Sequence, residues 1–210
     1  MGEQGLTTTS IVLAGGRSAR LGKGKAMELV GGETLLQRVL SRLATFSNDI
    51  ILVMAQGQDE VMDYSYPQLK KIHDLLPDGG SLGGIYSGLT VSPSFYNLLV
   101  GCDMPFLNVP LLRYLLEVSP LFDAVVPKVG DNLEPLHAIY SKDCIDPIRH
   151  LLERGEHKVT DIFHHVKTRY VEEEELNRFD PQHMSFFNVN TQEDLNRARQ
   201  LALSHRHLSL

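Results

Sequence analysis

The fold of this chain is decided by the stretch Ile11-Val12-Leu13-Ala14-Gly15-Gly16-Arg17-Ser18-Ala19-Arg20-Leu21-Gly22-Lys23-Gly24-Lys25. Its first residues form a short apolar run, which predicts a buried strand. Gly15 and Gly16 then permit a sharp turn and leave no Cβ to keep a ligand away from the backbone. Backbone N–H groups in such a loop converge on an anion, and Arg20, Lys23 and Lys25 add positive charge. The stretch therefore predicts a cradle for a nucleoside triphosphate at the C-terminal end of a parallel strand.

The glycine spacing excludes two better-known nucleotide loops. A dinucleotide-binding loop requires Gly-x-Gly-x-x-Gly, whereas the glycines here stand at positions 15, 16, 22 and 24. A Walker loop requires four residues between its glycines and then Lys and Ser or Thr, but Gly24 follows Lys23. The alternative interpretation is an ordinary strand-to-helix loop on a basic surface.

Length and composition predict one soluble domain over residues 1–210, with flexible ends at 1–8 and 204–210. The formal charge of −6 argues against a nucleic-acid-binding protein, which would be basic. No apolar run approaches the ~20 residues of a membrane helix, so we expect no membrane partner. Two cysteines and a polar N-terminus without an apolar signal core indicate a cytoplasmic protein.

Short apolar runs alternate with stretches of helical periodicity along the chain, which indicates an α/β fold. We expect a three-layer, Rossmann-like arrangement, with a mainly parallel twisted sheet and helices on both faces. The glycine-rich segment 76–84 is predicted as a loop before a helix over 85–90. The other predicted strands are 50–54, 71–74, 97–102, 124–127, 136–140 and 169–171. The other predicted helices begin after Thr34, near Pro110 and after Thr191, and cover roughly 143–153 and 158–164.

Asp103 is the second fixed point of the sequence. It ends the buried run 97–102, and strand ends at the carboxyl edge of an open parallel sheet line the ligand crevice. A carboxylate there can hold Mg²⁺, which binds through one or two carboxylates plus substrate phosphates. The alternative is an Asp that only caps the following turn.

The glycine loop resembles the signature of nucleotidyltransferases of the pyrophosphorylase type, and is most similar to the molybdenum cofactor guanylyltransferase (MobA) family. The resemblance implies transfer of GMP from Mg-GTP to the molybdopterin cofactor with release of pyrophosphate. It also implies molybdoenzyme apoproteins or their chaperones as partners. Two positions depart from the family pattern, because Gly24 stands where an Asp is common and Ser81 replaces a proline.

Further segments carry the resemblance along the chain, among them Gly80-Ser81-Leu82-Gly83-Gly84-Ile85, Glu134-Pro135-Leu136-His137-Ala138-Ile139-Tyr140 and Phe187-Asn188-Val189-Asn190-Thr191. By this resemblance we expect Arg20, Lys25 and Asp103 to be catalytic and Asp103 to hold the metal. The implied nucleotide-binding residues are Leu13, Ala14, Gly15, Gly16, Lys25, Gln56, Asp74, Leu82, Gly84 and Asp103. The implied acceptor-binding residues are His137, Lys158, Asn188 and Asn190.

Two other functions remain open at the level of sequence. One is a cytidylyltransferase acting on molybdopterin or on an alcohol phosphate, which base competition would distinguish. The other is a nucleotide-binding protein without catalysis that delivers the cofactor. It would bind GTP without releasing pyrophosphate.

Overall fold

The structure is a computed structural model that describes residues 8–14, 24–56, 64 and 66–207. Its strands are β1 (Thr9–Leu13), β2 (Leu29–Val30), β3 (Glu33–Thr34), β4 (Asp49–Met54), β5 (Leu69–His73), β6 (Tyr96–Gly101), β7 (Ala124–Val129), β8 (Asn132–Leu133), β9 (His137–Ser141) and β10 (Thr168–Val171). Its α-helices are α1 (Leu35–Ala44), α2 (Gly80–Val91), α3 (Val109–Glu117), α4 (Ile145–Glu153), α5 (Glu173–Leu176) and α6 (Gln192–His207). The predicted flexibility of residues 1–7 and 208–210 lies outside the described residues.

One sheet carries most of these strands, in the order β10-β7-β9-β6-β1-β4-β5 with β8 added to β7. The pairs of β1 with β4 and β6, of β4 with β5, and of β10 with β7 are parallel. β9 runs antiparallel to both of its neighbours, β6 and β7. The mainly parallel sheet predicted from the sequence is therefore confirmed.

Helices cover both faces of the sheet. Along β1 the side chain of Val12 joins the core beneath α1 and α3, whereas Ile11 and Leu13 join the core beneath α2 and α4. A third, smaller core packs α6 against the β2–β3 hairpin. The three-layer arrangement is confirmed. Within the described part of the chain, no helix combines the length and apolar character needed to cross a membrane.

Helix starts follow the capping residues visible in the sequence. The Thr34 hydroxyl accepts a hydrogen bond from the Gln37 N–H at 3.0 Å, so α1 begins where predicted. Asn108 caps α3 ahead of Pro110. The backbone of α6 continues to His207, and the expected flexibility of 204–210 stays a prediction.

The predicted glycine-rich loop is wrong over 80–84, because α2 begins at Gly80 rather than at Ile85. The glycines lie inside the helix because it packs closely on its neighbours. A Cβ on Gly83 would lie 2.5 Å from the backbone oxygen of Leu76, and one on Gly88 would lie 2.4 Å from a side-chain carbon of Ile11. Such contacts exclude any side chain, so the close packing offsets the usual cost of glycine in a helix.

We expect Gly83→Ala to destabilise the protein by about 1–3 kcal/mol, because the clashing atom belongs to the backbone and cannot rotate away. Thermal unfolding should show a melting temperature several degrees lower. The matched control is Gly84→Ala, whose Cβ would meet the end of the Leu13 side chain at 3.1 Å and should cost less. A Gly83→Ala variant that melts at or above the wild-type temperature would contradict this packing.

His137 lies at the start of β9 with no exposed surface. Its ring meets Phe186 edge-on, with centroids 4.9 Å apart. Neither ring nitrogen has a hydrogen-bond partner among the described residues. Burial lowers the pKa of His137 from 6.5 to about 4, against a smaller opposing effect of Asp180. The side chain is therefore a neutral part of the core.

This burial predicts a loss of stability in acid. Above pH 6.5 the ring is neutral in both the folded and the unfolded chain. As the pH falls from 6.5 to about 4 the unfolded chain takes up a proton that the folded chain excludes, so stability decreases. The full effect is roughly 3 kcal/mol, from a shift of 6.5 to about 4.

Melting temperatures of wild type and His137→Phe, measured across this pH range, test the prediction. We expect the variant to lose less stability in acid, because it has no ring to protonate. Other groups titrate equally in both proteins and cancel in the comparison. The exposed His150, changed to Gln, serves as the control. Parallel pH curves for wild type and His137→Phe would contradict the assignment.

Candidate functional site

Parallel strands β5, β4, β1 and β6 end at one edge of the sheet, which we call the ligand edge. Just beyond the strands, the N–H groups of Ala14, Asp74 and Cys102 donate to carbonyl oxygens of adjacent strands at 2.9, 2.8 and 3.1 Å. The sheet therefore fixes Ala14, Asp74 and Asp103 at this edge, where the sequence predicts a ligand crevice.

The glycine loop itself lies largely outside the described residues. Gly15, Gly16 and Arg20 fall in the segment 15–23, so their predicted roles stay predictions. The described chain begins again at Gly24, followed by a 3₁₀ turn over Lys25–Met27. A Cβ on Gly24 would meet nothing within 4 Å, so packing among the described residues does not require glycine there.

Lys25, Asp103 and Asn190 form a charged cluster at the ligand edge. The Lys25 Nζ donates to Asp103 Oδ2 at 2.7 Å and to Asn190 Oδ1 at 3.0 Å. The two charged side chains are 10% and 22% exposed, so the ion pair is well shielded from water. The structure thus brings together three residues that the sequence assigns to catalysis, metal binding and acceptor binding.

Gly101 gives the Asp103 carboxylate its position. A Cβ on Gly101 would lie 2.5 Å from Asp103 Oδ1, so any other residue would displace the carboxylate. The backbone of Asp103 is held as well, because its carbonyl accepts the N–H of Val189 at 3.0 Å. The end of β6 is therefore built around one precisely placed carboxyl group.

Asp194 shapes the turn that presents Asn190. Its Oδ2 accepts the backbone N–H groups of Asn190 and Thr191 at 3.0 and 2.8 Å, and the Thr191 hydroxyl at 2.9 Å. Thr191 Oγ1 in turn accepts the Asp194 N–H at 3.1 Å, which closes a reciprocal cap at the start of α6. Burial opposes ionisation, but these hydrogen bonds and Lys25 together lower the pKa of Asp194. The sequence signal for this role was the spacing Thr191-x-x-Asp194.

Asn188 lies in the same segment and is half-buried. Its Nδ2 donates to the carbonyl of Phe186 at 3.1 Å. The segment is anchored by the buried Asp180, whose carboxylate accepts the N–H groups of Met184 and Ser185 at 3.1 and 2.7 Å. The path of the chain toward Asn188 and Asn190 is therefore fixed by hydrogen bonds.

Asp74 follows β5 and is held in place by α2. Its Oδ1 accepts the Ser87 hydroxyl at 2.7 Å and the Leu76 N–H at 3.0 Å. Gln56 donates from Nε2 to the Asp74 carbonyl at 3.2 Å, so these two predicted nucleotide-binding residues are brought together. Sequence analysis missed Ser87, because its contact with Asp74 joins residues 13 positions apart and no local pattern indicates it.

Leu13, Leu82 and Gly84 belong to the core at the base of this edge. Leu82 has no exposed surface, Leu13 is 8% exposed, and a Cβ on Gly84 would lie 3.1 Å from the Leu13 side chain. Leu82 stands in the first turn of α2, where backbone N–H groups have no partner within the helix. Any contact of Leu82 with a ligand is therefore through its backbone.

The other two predicted acceptor residues, His137 and Lys158, make no side-chain hydrogen bond to the cluster of described residues Lys25, Asp103 and Asn190. His137 is in the core, so in this structure its side chain does not line the ligand edge. Lys158 is exposed and precedes the 3₁₀ turn Val159–His164. This turn follows α4, which packs against the start of α2. A Cβ on Gly79, just before α2, would lie 3.1 Å from the Leu152 side chain of α4.

Glu134 is a further carboxyl group at the ligand edge, which sequence analysis quoted in a motif without assigning it a role. It is half-buried, just before the start of β9. Burial raises the pKa of Glu134 from 4.5 to about 7. Cys102 lies beside Asp103, and burial above all raises the pKa of its thiol to about 12. It is therefore a protonated thiol at neutral pH and no nucleophile.

The donor set at the ligand edge is compatible with a hard divalent cation bound together with a phosphate ligand. In the described part of the chain, no three His, Cys, Asp or Glu side chains cluster in a way that could hold a metal ion alone. Asp103 offers one carboxylate, with Oδ1 over the vacant Cβ position of Gly101. One carboxylate with phosphate oxygens and water completes the coordination that Mg²⁺ prefers.

Comparison with known proteins identifies the family of the chain. Residues 10–170 match the family described as the MobA-like NTP transferase domain. The probable molybdenum cofactor guanylyltransferase of Pelotomaculum thermopropionicum is 39% identical over 96% of this chain and 96% of its own length. That of Methanosarcina mazei is 37% identical over 89% of this chain and 88% of its own length.

Solved structures share the fold. The molybdopterin-guanine dinucleotide biosynthesis protein A of Archaeoglobus fulgidus has a TM-score of 0.82 and 29% identity, covering 93% of this chain and 99% of its own. A 4-diphosphocytidyl-2C-methyl-D-erythritol synthase of Anaerococcus prevotii, with a TM-score of 0.72 and 16% identity, covers 93% of this chain and 96% of its own and shows the fold alone. The chain therefore belongs to the family of MobA-like NTP transferases and is a nucleotidyltransferase.

Proposed function

We propose that this chain transfers GMP from GTP to the molybdopterin cofactor. The acceptor phosphate oxygen attacks the α-phosphorus of GTP, the bond between that phosphorus and the bridging oxygen breaks, and pyrophosphate leaves. The cluster of Lys25, Asp103 and Asn190 at the ligand edge carries this proposal. It brings a cation and a carboxylate together at the ligand edge, where we propose that the phosphates bind. The substrates follow from the names of the relatives, which are guanylyltransferases of the molybdenum cofactor.

Lys25 is proposed to bind the triphosphate. Its ammonium is paired with the Asp103 carboxylate and donates a further hydrogen bond to the Asn190 amide oxygen. Phosphate oxygens can replace these partners and gain a charge-assisted hydrogen bond in a shielded site. As the bond to pyrophosphate breaks, a fixed cation here stabilises the charge that develops on the leaving group. Gly15, Gly16 and Arg20 are proposed to complete the cradle.

Nucleotidyltransferases generally use a divalent metal, and we propose Mg²⁺ held by Asp103. When bound, the ion neutralises phosphate charge and aligns the reacting groups. Asp103 would hold the ion through its carboxylate group. Positioning and charge neutralisation then supply the catalysis without a covalent intermediate.

The two ends of the ligand edge are proposed to bind different substrates. Ala14, Gln56 and Asp74, with the backbone of Leu82 and Gly84, are proposed to hold the nucleoside beside β1 and β5. Asn188 and Asn190 are proposed to face the acceptor, and Lys158 to meet the acceptor phosphate. We leave His137 out of the acceptor site because its ring is buried.

Melting the protein with Mg²⁺ and each of GTP, CTP, ATP and UTP tests the nucleotide assignment. GTP at ~100 times its dissociation constant stabilises the folded state by ~2.7 kcal/mol. For a chain of this size, the melting temperature should rise by roughly 5–10 °C. The shift should be largest for GTP, because guanylyl transfer requires that base.

The same experiment contains its controls. Omitting Mg²⁺ or changing Asp103→Asn should reduce the GTP shift, since both remove the proposed metal bridge to the phosphates. A shift with CTP alone would replace guanylyl transfer with cytidylyl transfer. GTP binding without pyrophosphate release in the presence of molybdopterin would indicate a carrier rather than an enzyme.

Lys25→Met should weaken GTP binding about tenfold or more, because a hydrogen bond to a charged group is worth ~1.5–3 kcal/mol. Isothermal titration with Mg-GTP measures the affinity. Lys70→Met on the edge strand β5 removes an equal charge from an exposed position and should leave the affinity unchanged. Equal affinities of Lys25→Met and wild type would remove Lys25 from the triphosphate site.

A further inference from the structure

Glu134 combines a fixed backbone with an unpaired carboxyl group. Its N–H donates to the Pro127 carbonyl at 2.9 Å, and its own carbonyl accepts the His137 N–H at 3.0 Å. Its carboxyl group makes no hydrogen bond or ion pair with any residue that the structure describes. No protein partner would have to be displaced for this carboxyl group to accept hydrogen bonds from a ligand.

The position of Glu134 in the sheet indicates which ligand its carboxyl group could contact. β9 runs opposite to β6, with His137 beside Val100, so the residues just before β9 lie at the ligand edge. The carbonyl of Leu136 accepts the Gly101 N–H at 3.2 Å, which ties this segment to the strand that ends in Asp103. In the sheet order, β9 lies on one side of β6, and β1, β4 and β5 lie on the other. Glu134 is thus across Asp103 from the proposed nucleoside site.

We propose that Glu134 is a specificity residue that binds the 2-amino-4-oxopyrimidine edge of the pterin acceptor. This ring presents an N–H and an amino group side by side, and a carboxylate can accept both hydrogen bonds at once. The inference rests on the proposed function, because the pterin is the acceptor named there. It adds to that function the residue that would recognise the acceptor ring by hydrogen bonding.

Guanine presents the same pair of donors, so the nucleotide base is the second source of this chemistry. The sheet order favours the pterin, because the glycine loop follows β1 and Asp74 follows β5, both beyond β6 from Glu134. The acceptor-side segment that contains Asn188 and Asn190 hydrogen-bonds to the backbone of Asp103 through Val189. The experiment must still separate the two rings.

Binding of the ring would be linked to the ionisation of Glu134. The free carboxyl group has a pKa of about 7, whereas two N–H donors favour the carboxylate. The neighbouring elements carry several titratable groups. His137 lies on β9, Asp131 lies before β8, and Lys128 on β7 forms an ion pair with Glu172 at 3.5 Å. Asp103, after β6, is paired with Lys25. Burial alone accounts for the raised pKa of Glu134. Ligand affinity should therefore fall in acid as this one group takes up its proton.

The test uses the full chain saturated with Mg²⁺ and a non-hydrolysable GTP analogue. The probes are 6-carboxypterin and 6-carboxylumazine, which differ in that lumazine carries an oxygen in place of the 2-amino group. Fluorescence titration gives both affinities at about pH 6 and about pH 7.4, on either side of the pKa of Glu134. The variants are Glu134→Gln, which keeps the shape of the side chain, and Asp131→Asn, which removes an exposed charge from the same hairpin.

We expect wild type and Asp131→Asn to prefer the pterin about tenfold or more, and to bind it more weakly by about fivefold or more at the lower pH. Glu134→Gln should lose both the preference and the pH dependence. Equal binding of the two probes by wild type, no binding of the pterin, or a preference that survives in Glu134→Gln would each overturn the proposal.

A second set of titrations distinguishes binding of the pterin ring from binding of guanine, and tests the role of Glu134 separately from guanylyl transfer. Titration with GTP and with inosine triphosphate, which lacks the 2-amino group, should give the same affinities for wild type and Glu134→Gln. A selective loss of GTP affinity in the variant would place Glu134 on the nucleotide base and overturn the acceptor assignment. Guanylyl transfer is assayed separately as pyrophosphate release, so a wild-type protein that transfers GMP but ignores the 2-amino group would refute this inference alone.

Discussion

The shielded ion pair between Lys25 and Asp103 is the interaction on which the site depends. An ammonium with 10% of its side chain exposed is tolerable only when a counter-charge and further acceptors replace water. Asp103 supplies the charge and Asn190 the second acceptor, across 78 and 165 residues of sequence. Folding has already removed most water from the Lys25 ammonium, so triphosphate binding has little further dehydration of this cation to overcome. The fold therefore preorganises the site for phosphate.

The close packing of α2 explains a second part of the site. Glycines at 83, 84 and 88 let this helix approach β1 and the segment after β5, and Ser87 between them holds Asp74. In sequence, glycines such as Gly83 and Gly84 are typical of a loop, and the prediction assigned these two to one. Local composition could not reveal that the glycine positions face neighbouring backbone and side chains. Here the tertiary packing of α2 outweighs the low intrinsic helix propensity of glycine.

Most of the sheet could be predicted, because its central strands are continuous apolar runs that end in polar residues. That pattern located Asp74 and Asp103 at strand ends, and the fold confirms both positions. The burial of His137 could not be predicted, because all of β9 is buried and the strand has no alternation that would mark an exposed face. The contact of Lys25 with Asn190 joins segments far apart in the sequence, and the spacing of apolar residues does not predict such a contact.

Three carboxyl groups stand at the ligand edge in three different environments. Asp74 is satisfied by Ser87 and a backbone N–H, Asp103 by Lys25, and Glu134 by none of the described residues. A satisfied carboxylate must exchange a partner to bind a ligand, whereas an unsatisfied one gains a partner outright. Asp103 is therefore suited to a cation, which compensates for the loss of Lys25 with its own charge. Glu134 is suited to neutral N–H donors, which could not compete for a carboxylate already paired with an ammonium.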